Sequence, residues 1–308
     1  MQRLTADHLF KNYGSRAEDG SPAPPAIPDE PPLRVAQGET FEIETVDTCH
    51  RFMLSEETTL HYRDGPMAGN PSTGPVYVEG IHAGDVIAVT IEELDVLGHT
   101  LLGAGGDDTL FPPEMQEARE DFVRIEHGIA HFPGGVTAPV RPMYGCFGVV
   151  PSEACPEPYG HGGNMDIPDV CAGNTVHLRC QRDGAYFACG DGHALQGDGE
   201  INGFSLEVSL RGRLRIELSP HQALRAMLIE TPDRYITVGV RHDMKGSVTD
   251  AVTAMAELFA ASREISPMDA YQFVSHLGDL RVGAIWPMWS EWDIPIPMCL
   301  HLAREHFV

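Results

Sequence analysis

The sequence predicts a mainly β chain, its strands stacked as a sandwich or closed as a barrel, with two helices packing on strands near the C-terminus. Three observations predict it. Short period-two alternations recur from Leu33 onward, glycine and proline turn signals separate them, and helical periodicity appears only late in the chain. The chain has 308 residues, 42% of them hydrophobic, which is ample for a buried core.

The elements follow in order. Residues 1–32 include "SRAEDGSPAPPAIPDEPP", a polar, proline-rich run expected to form an irregular arm. Residues 33–225 are the expected β-rich portion carrying most of the functional site, and residues 226–308 the C-terminal α/β portion. "TFEIETVD" reads as a strand ending at Asp47, and "DVIAVTIEELDVLG" places Ile87, Val89 and Ile91 on one face. In "TVHLRCQRDGAYFACGDGH", Asp183-Gly184 is a two-residue hairpin signal. A hairpin centred there pairs Arg182 with Ala185, Cys180 with Phe187 and Leu178 with Cys189, and leaves Asp191 and His193 at a strand end. "FSLEVSLRGRLRIEL" reads as two strands around a turn at Gly212, and "RYITVGVRHD" as another strand. Val252, Met255, Leu258 and Phe259 form a helical stripe, with Ser247 and Asp250 resembling a capping box. A second helix starts with Ser266 as N-cap and Pro267 at N1, and stops at Gly278.

Charge narrows the function. Lys and Arg total 21 against 45 Asp and Glu, a net charge of −24. Such a field repels phosphate backbones and anionic lipid, so neither nucleic acid nor membrane is an expected partner. It suits neutral or cationic small molecules and divalent metals. No run approaches the ~18 apolar residues of a membrane span, and the N-terminus lacks the apolar stretch of an export signal. The seven cysteines (49, 146, 155, 171, 180, 189 and 299) form no CxxC pair, so reduced thiols in a cytoplasmic protein are expected. The proline-rich arm points to subunit contacts, and hence to a homo-oligomer.

Three clusters could carry chemistry. "ETVDTCHR" offers Asp47, Cys49 and His50; "PYGHGGNMDIPDV" offers His161, Asn164, Asp166 and Asp169; "CGDGHALQGDGEINGF" offers Asp191, His193, Gln196, Asp198 and Glu200. Imidazole and carboxylate together suit a borderline cation such as zinc. Asp191 and His193 are two apart, so an extended backbone aims both at one ion. Flanking glycines at 190, 192, 197 and 199 would permit tight turns and close approach. Glu200 and Glu79, in "GPVYVEG", are candidate proton carriers. The same D-G-H and D-G-E runs also read as ordinary solvated turns. There is no GxSxG elbow, no P-loop and no GxGxxG opening a helix after a strand.

"GNPSTGPVYVEGIHAGDVIAVTIEELDVLG", "PYGHGGNMD" and "CGDGHALQGDGEINGFSLEVSL", in that order, resemble the acetamidase/formamidase family of metal-dependent amide hydrolases, from about Val35 to Arg281. The resemblance implies a mainly β fold with sandwich/jelly-roll-like and barrel-like parts and a smaller C-terminal α/β portion. It further implies hydrolysis of formamide, acetamide or a similar small amide to ammonia and the acid, with zinc as the divalent metal. By motif, Asp47, His161, Asp166, Asp191 and His193 surround the metal, undivided into ligands and neighbours. Glu200 and Glu79 also fall on motif positions and receive proton transfer on chemical grounds; Asn164 is the candidate oxyanion donor. Two alternatives share the scaffold: a hydrolase of cyclic amides or imides, its pocket lined by Trp286, Trp289 and Trp292, and a non-catalytic metal- or ligand-binding β-protein. The chain departs from the family at "TCHRFM" after Asp47, and at Ile81-His82 in "EGIHAGD".

Overall fold

The computed structural model describes residues 1–10, 23, 25–48, 70–104, 112, 115, 119–153, 160–288 and 294–307. Its strands form three sheets, none of which closes into a barrel among the described residues. The largest has nine strands. In spatial order they are β1 (Gln2–Leu4), β4 (Thr40–Thr45), β15 (Ser209–Leu218), β6 (Val86–Leu97), β13 (Thr175–Arg179), β16 (Met227–Glu230), β17 (Arg234–Arg241), β19 (Ile296–Ala303) and β18 (Asp279–Val282). The second sheet runs β12 (Gly162–Asn164), β11 (Met143–Val149), β14 (Phe187–His193), β5 (Ser72–Val78) and β2 (Leu9–Phe10), with β3 (Leu33–Val35) also on β5. The third is a small antiparallel sheet of β10 (Thr137–Pro139), β9 (Ile129–His131), β8 (Arg119–Glu126) and β7 (Thr100–Ala104).

The first two sheets pack face to face as a sandwich. Phe41 and Ile43 of β4, Ile87, Val89 and Ile91 of β6, and Leu214 and Ile216 of β15 bury against Val76 and Val78 of β5, Phe147 of β11 and Phe187 of β14. Phe147 and Phe187 meet edge to face, ring centroids 4.8 Å apart. Each such side chain contributes about 1.5–3 kcal/mol by leaving water. The alternation read from "TFEIET" is realised: every second residue of β4 is buried.

Two helices cover one face of the C-terminal strands, as expected. α1 (Met244–Arg263) and α2 (Pro267–Leu277) bury Ala251, Met255, Phe259, Ala270 and Val274 against Leu300 and Leu302 of β19. Ser266 caps α2 by accepting from Asp269 N, with Pro267 in the first turn. The start of α1 differs from the sequence reading: Asp243 is the N-cap and accepts from Gly246 N. Ser247 lies buried a turn further on, where its hydroxyl accepts from Arg241 N. β16 pairs with β13, so the strands of residues 226–308 continue the nine-stranded sheet.

Three further expectations are corrected. The first ten residues are not irregular; they supply β1 to one sheet and β2 to the other, while residues 11–22 and 24 lie outside the described residues. The Asp183-Gly184 hairpin does not form. Both edges of β13 are occupied by β6 and β16, and β14 pairs instead with β11 and β5. Ala185 (φ 58°) and Tyr186 (φ 52°) are both left-handed, and they carry the chain from one sheet to the other. Gly212 makes no turn, since β15 runs through it. A Cβ there would lie 2.2 Å from Tyr144 Oη, so glycine admits the tyrosine of the facing sheet.

Candidate active site

Asp191 and His193 end β14, buried to 2% and 1% exposure. Asp191 is left-handed (φ 54°), a local break in the extended strand, and His193 Nε2 lies 3.6 Å from its Oδ1. Asp166 follows β12 in a left-handed conformation (φ 49°) and is equally buried. The turn between "HGGN" and "IPDV" thus delivers a carboxylate inward. Offered ligand atoms of Asp166, Asp191 and His193 all lie within 4.8 Å of one another.

Gly145 of β11 is the floor of this cluster. A Cβ built there would sit 2.5 Å from both Asp166 Oδ1 and Asp191 Oδ2, and 2.9 Å from His193 Cε1. Three polar side chains therefore converge where any larger residue would displace them. Asp166 Oδ1 is buried with no hydrogen-bond partner among the described residues. Asn164 Nδ2 donates to the other oxygen, Oδ2, at 3.3 Å. An unpaired buried carboxylate oxygen costs free energy unless a cation meets it.

The histidine is oriented for the same purpose. Gln196 Nε2 donates to the carbonyls of Asp166 (2.6 Å) and Gly283 (3.4 Å), which fixes its amide orientation. Its Oε1, 2.8 Å from His193 Nδ1, can then only accept, so Nδ1 carries a proton. His193 Nε2 is left aimed at Asp191 and at Glu207 Oε1, 3.3 Å away. A ring held through Nδ1–H with Nε2 presented to carboxylates is the arrangement of a metal-ligating histidine with its outer partner.

Around this core stand Thr48, Cys146, Glu200 and Glu207. Thr48 Oγ1 approaches Asp191 Oδ1 (2.6 Å), Glu207 Oε2 (2.9 Å) and Asn70 Oδ1 (3.2 Å), offering one proton to three acceptors. Cys146 Sγ lies 3.0 Å from Asn164 Oδ1 and 3.7 Å from Asp191 Oδ2. Glu200 is 7% exposed, and Ser205 Oγ (2.8 Å) and Trp286 Nε1 (3.0 Å) each donate to one of its oxygens. His193, Glu200 and Glu207 form a second set of groups within 4.8 Å, sharing His193 with the first.

The electrostatics follow from this crowding. Burial, then repulsion from Glu200 and Asp191, pushes the Asp166 carboxyl well above its usual range, with His193 pulling the other way. Burial also works to raise Asp191, but the charge and hydrogen bond of His193, with the bonds from Thr48 and Cys146, leave it lowered. His193 is disfavoured as a cation by burial, yet Glu207 and Asp191 outweigh that and hold its pKa well above normal. Glu200 rises to about 7, through burial first, against His193, and with Glu207 and Asp191 adding to the rise. Without an ion, the protonated His193 is the positive charge that Asp166, Asp191 and Glu200 face.

The remaining candidates are placed as follows. Asp47 is buried just past β4, its peptide N–H donating to Ser209 Oγ at 3.1 Å, and it precedes Thr48. His161 is buried one residue before β12. Asn164 bridges Cys146 and Asp166. Glu79 is not brought to the cluster. Its side chain is 55% exposed and its carboxylate faces Arg34 Nη1 at 3.3 Å, because the strand β5 has ended one residue earlier. Asp169 faces His301 at 3.8 Å, and Asp198 faces Arg281 at 3.9 Å. Cys49, His50, Trp289 and Trp292 lie outside the described residues.

Sequence reasoning passed over Glu207 and Gly145. Glu207 could have been found in "FSLEVSL": Leu206, Val208 and Leu210 bury on one face, so Glu207 must project from the other, directly after the acidic loop. Gly145 carried no local signal, since its role depends on side chains from β12 and β14. The glycines inside β14 serve packing. A Cβ at Gly192 would meet Val208 O and Leu210 Cγ at 2.6 Å.

Comparison with known proteins agrees with the resemblance noted in the sequence. The acetamidase/formamidase family matches over residues 25–160 and 155–233. The fold is similar to that of a recombinant predicted acetamidase/formamidase from Thermoanaerobacter tengcongensis: TM-score 0.83 and 28% identity, covering 99% of this chain and 96% of that one. An acetamidase from Bacillus halodurans gives TM-score 0.83 and 26% identity, covering 99% and 98%. A gamma lactamase from Delftia acidovorans shares the fold more loosely: TM-score 0.57 and 19% identity, covering 92% and 89%. A comparison with curated proteins gave no match. With more than half of its length matched and the whole fold shared, the chain belongs to the acetamidase/formamidase family and is an amidase, acting on carbon–nitrogen bonds.

Proposed function

We propose that the chain hydrolyses a small uncharged amide, of the size of formamide or acetamide, to ammonia and the carboxylic acid, with a divalent metal, zinc, at the Asp166–Asp191–His193 cluster. The observation that supports the reading is the convergence over Gly145 of an unpartnered Asp166 Oδ1, Asp191 Oδ2 and an imidazole whose Nδ1 is already committed to Gln196. A donor set of one imidazole nitrogen and carboxylate oxygens fits zinc. Asp166, Asp191 and His193 would hold the ion, with Asp47, His161 and Glu207 completing its surroundings. A divalent ion so bound supplies a Lewis acid that acidifies water and polarises a carbonyl.

The chain's own residues supply the rest. Glu200, raised to about 7, is poised to take a proton from the attacking water and to deliver it to the departing nitrogen. That delivery is needed because an amide anion is too basic to leave unprotonated. Ser205 and Trp286 hold both Glu200 oxygens, so its carboxylate keeps one orientation through the transfer. Asn164 Nδ2, with one proton directed at Asp166, is the proposed donor to the developing oxyanion. Glu79, turned to Arg34, has no part in it. So small a substrate offers little remote binding energy, so binding is expected to be weak.

The chain is placed in the cytoplasm as a homo-oligomer on the sequence argument; no described helix is long and apolar enough to cross a membrane. Cys171, Cys180, Cys189 and Cys299 form no disulfide among the described residues, which suits a reducing compartment. Trp286 sets an aromatic ring beside Glu200 and would suit a cyclic amide, so a lactam belongs in the test panel. The test is ammonia release from formamide, acetamide and longer amides, with ring opening of the lactam, before and after chelation. The proposal expects release from the small amides that stops on chelation and returns with zinc. A metal-replete chain that cleaves none of them is the non-catalytic binding protein instead.

A further inference from the structure

On the opposite face of the nine-stranded sheet, a second group of metal-ligating side chains comes together. Val176 and Leu178 of β13 belong to the core between the sheets, so His177 between them faces the other way. Ile229 of β16 is likewise in that core, and Glu230 beside it shares the face of His177. The turn after β15 brings His221 onto both. The two imidazoles stand edge to face with ring centroids 5.1 Å apart, and His221 leans on Tyr235, which packs against Phe307.

Glu230 Oε2 lies 3.4 Å from His177 Nε2 and 3.8 Å from His221 Nε2. Both distances exceed the 2.7–3.2 Å of an ordinary N–H···O bond. Two ligand atoms on a tetrahedral zinc, each about 2.1 Å from the ion, are about 3.4 Å apart. His177 is 2% exposed, and its Nε2 is buried with no hydrogen-bond partner among the described residues. Its other nitrogen, Nδ1, is engaged with Ser219 Oγ at 2.8 Å, and the same oxygen accepts the peptide N–H of His221 at 2.9 Å. Ser219 therefore orients one imidazole and fixes the turn that carries the other. Arg304 Nη1 binds the far oxygen of Glu230, Oε1, at 2.8 Å, so the oxygen facing the imidazoles is not the one Arg304 holds. Ligand atoms of all three residues lie within 4.8 Å of one another.

We propose that His177, His221 and Glu230 form a second divalent-metal site, of zinc type, which ties the 219–224 turn to the nine-stranded sheet on the face away from the amidase cluster. Burial first, and then His221, lowers the His177 pKa against the pull of Glu230, which favours the neutral ring that a metal requires. Glu230 is held well below the usual carboxylate range, chiefly by the facing His177 and His221, with Arg304 adding. Glu230 and His221, with 24% and 22% of their side chains exposed, leave the site open on one side for a water or an entering ion.

The test is zinc binding by the metal-depleted full-length chain, using zinc ion alone as the probe. Zinc per chain is counted by elemental analysis after equilibrium dialysis, for the wild type, His221→Gln and Glu230→Gln. The proposal expects both variants to bind one zinc per chain fewer than the wild type. Cobalt should show a visible band for the wild type that is weaker by the same share in each variant. The difference of one does not depend on whether the Asp166 cluster binds metal, so the two assignments succeed or fail separately. Equal zinc counts in all three folded proteins overturn the second site.

Discussion

Gly145→Ala is the sharpest perturbation of the cluster, because it adds one methyl group and removes nothing. Its Cβ would lie 2.5 Å from Asp166 Oδ1 and Asp191 Oδ2, whereas real Cβ contacts closer than 3.4 Å are uncommon. Each oxygen must therefore retreat by about 0.9 Å, or the strand must shift. A working metal site tolerates about 0.2 Å in its ligand distances. Displacements near 1 Å around reacting groups cost on the order of a hundredfold in rate. The variant is thus expected to lose most of its bound metal and at least about a hundredfold in kcat/KM for acetamide. Overpacking adds about 1–3 kcal/mol of destabilisation, a few degrees in Tm, so the protein should still fold. The assay pairs elemental analysis with ammonia release and a thermal melt. A Gly145→Ala protein with full metal content and full activity would refute the convergence described here.

Other expectations follow from the same geometry. Glu200→Gln should keep its metal yet lose about 10²–10⁴ in kcat, whereas Glu79→Gln should leave kcat/KM unchanged; ammonia release from both variants checks this. Because Glu200 must be ionised to accept a proton and its pKa is raised to about 7, the acid limb of kcat/KM should fall at or below about pH 7, a bound cation drawing it lower. Trp286→Phe removes a donor that favours the ionised form, so that limb should move to higher pH, and a pH–rate profile that does not move argues against the role given to Trp286. In the metal-free chain, Glu200 is raised from 4.5 to about 7 and Asp166 is raised as well, so their contribution to stability is complete below the unfolded value and is lost as pH rises toward and past 7. Zinc should therefore raise Tm more at pH 8 than at pH 5.5, as read by paired melts.

Much of this was legible because it rests on local pattern. The alternation in "TFEIET" made β4 and the Ser266-Pro267 start made α2, whereas Asp191 and His193 meet through a left-handed Asp191 that an extended spacing does not foresee. What stayed hidden depends on partners distant in sequence. The Asp183-Gly184 signal favours a hairpin, but β13 already had neighbours on both edges, and the chain crossed to the other sheet. Gly212 and Gly145 look like turn or filler residues, although each is glycine because a side chain from another element occupies its Cβ position. Glu79 sat on a family motif, and only the end of β5 shows that it turns outward to Arg34. Glu207 was available from alternation alone, since Leu206 and Val208 are buried and leave it the opposite face.

The most direct test of the central claim is a crystal of the zinc-loaded wild type, measured on both sides of the zinc absorption edge. The account predicts an anomalous peak over Gly145, bounded by Asp166, Asp191 and His193, in a preparation that releases ammonia from acetamide. An active, zinc-loaded preparation whose crystals show no peak at those three residues would contradict it.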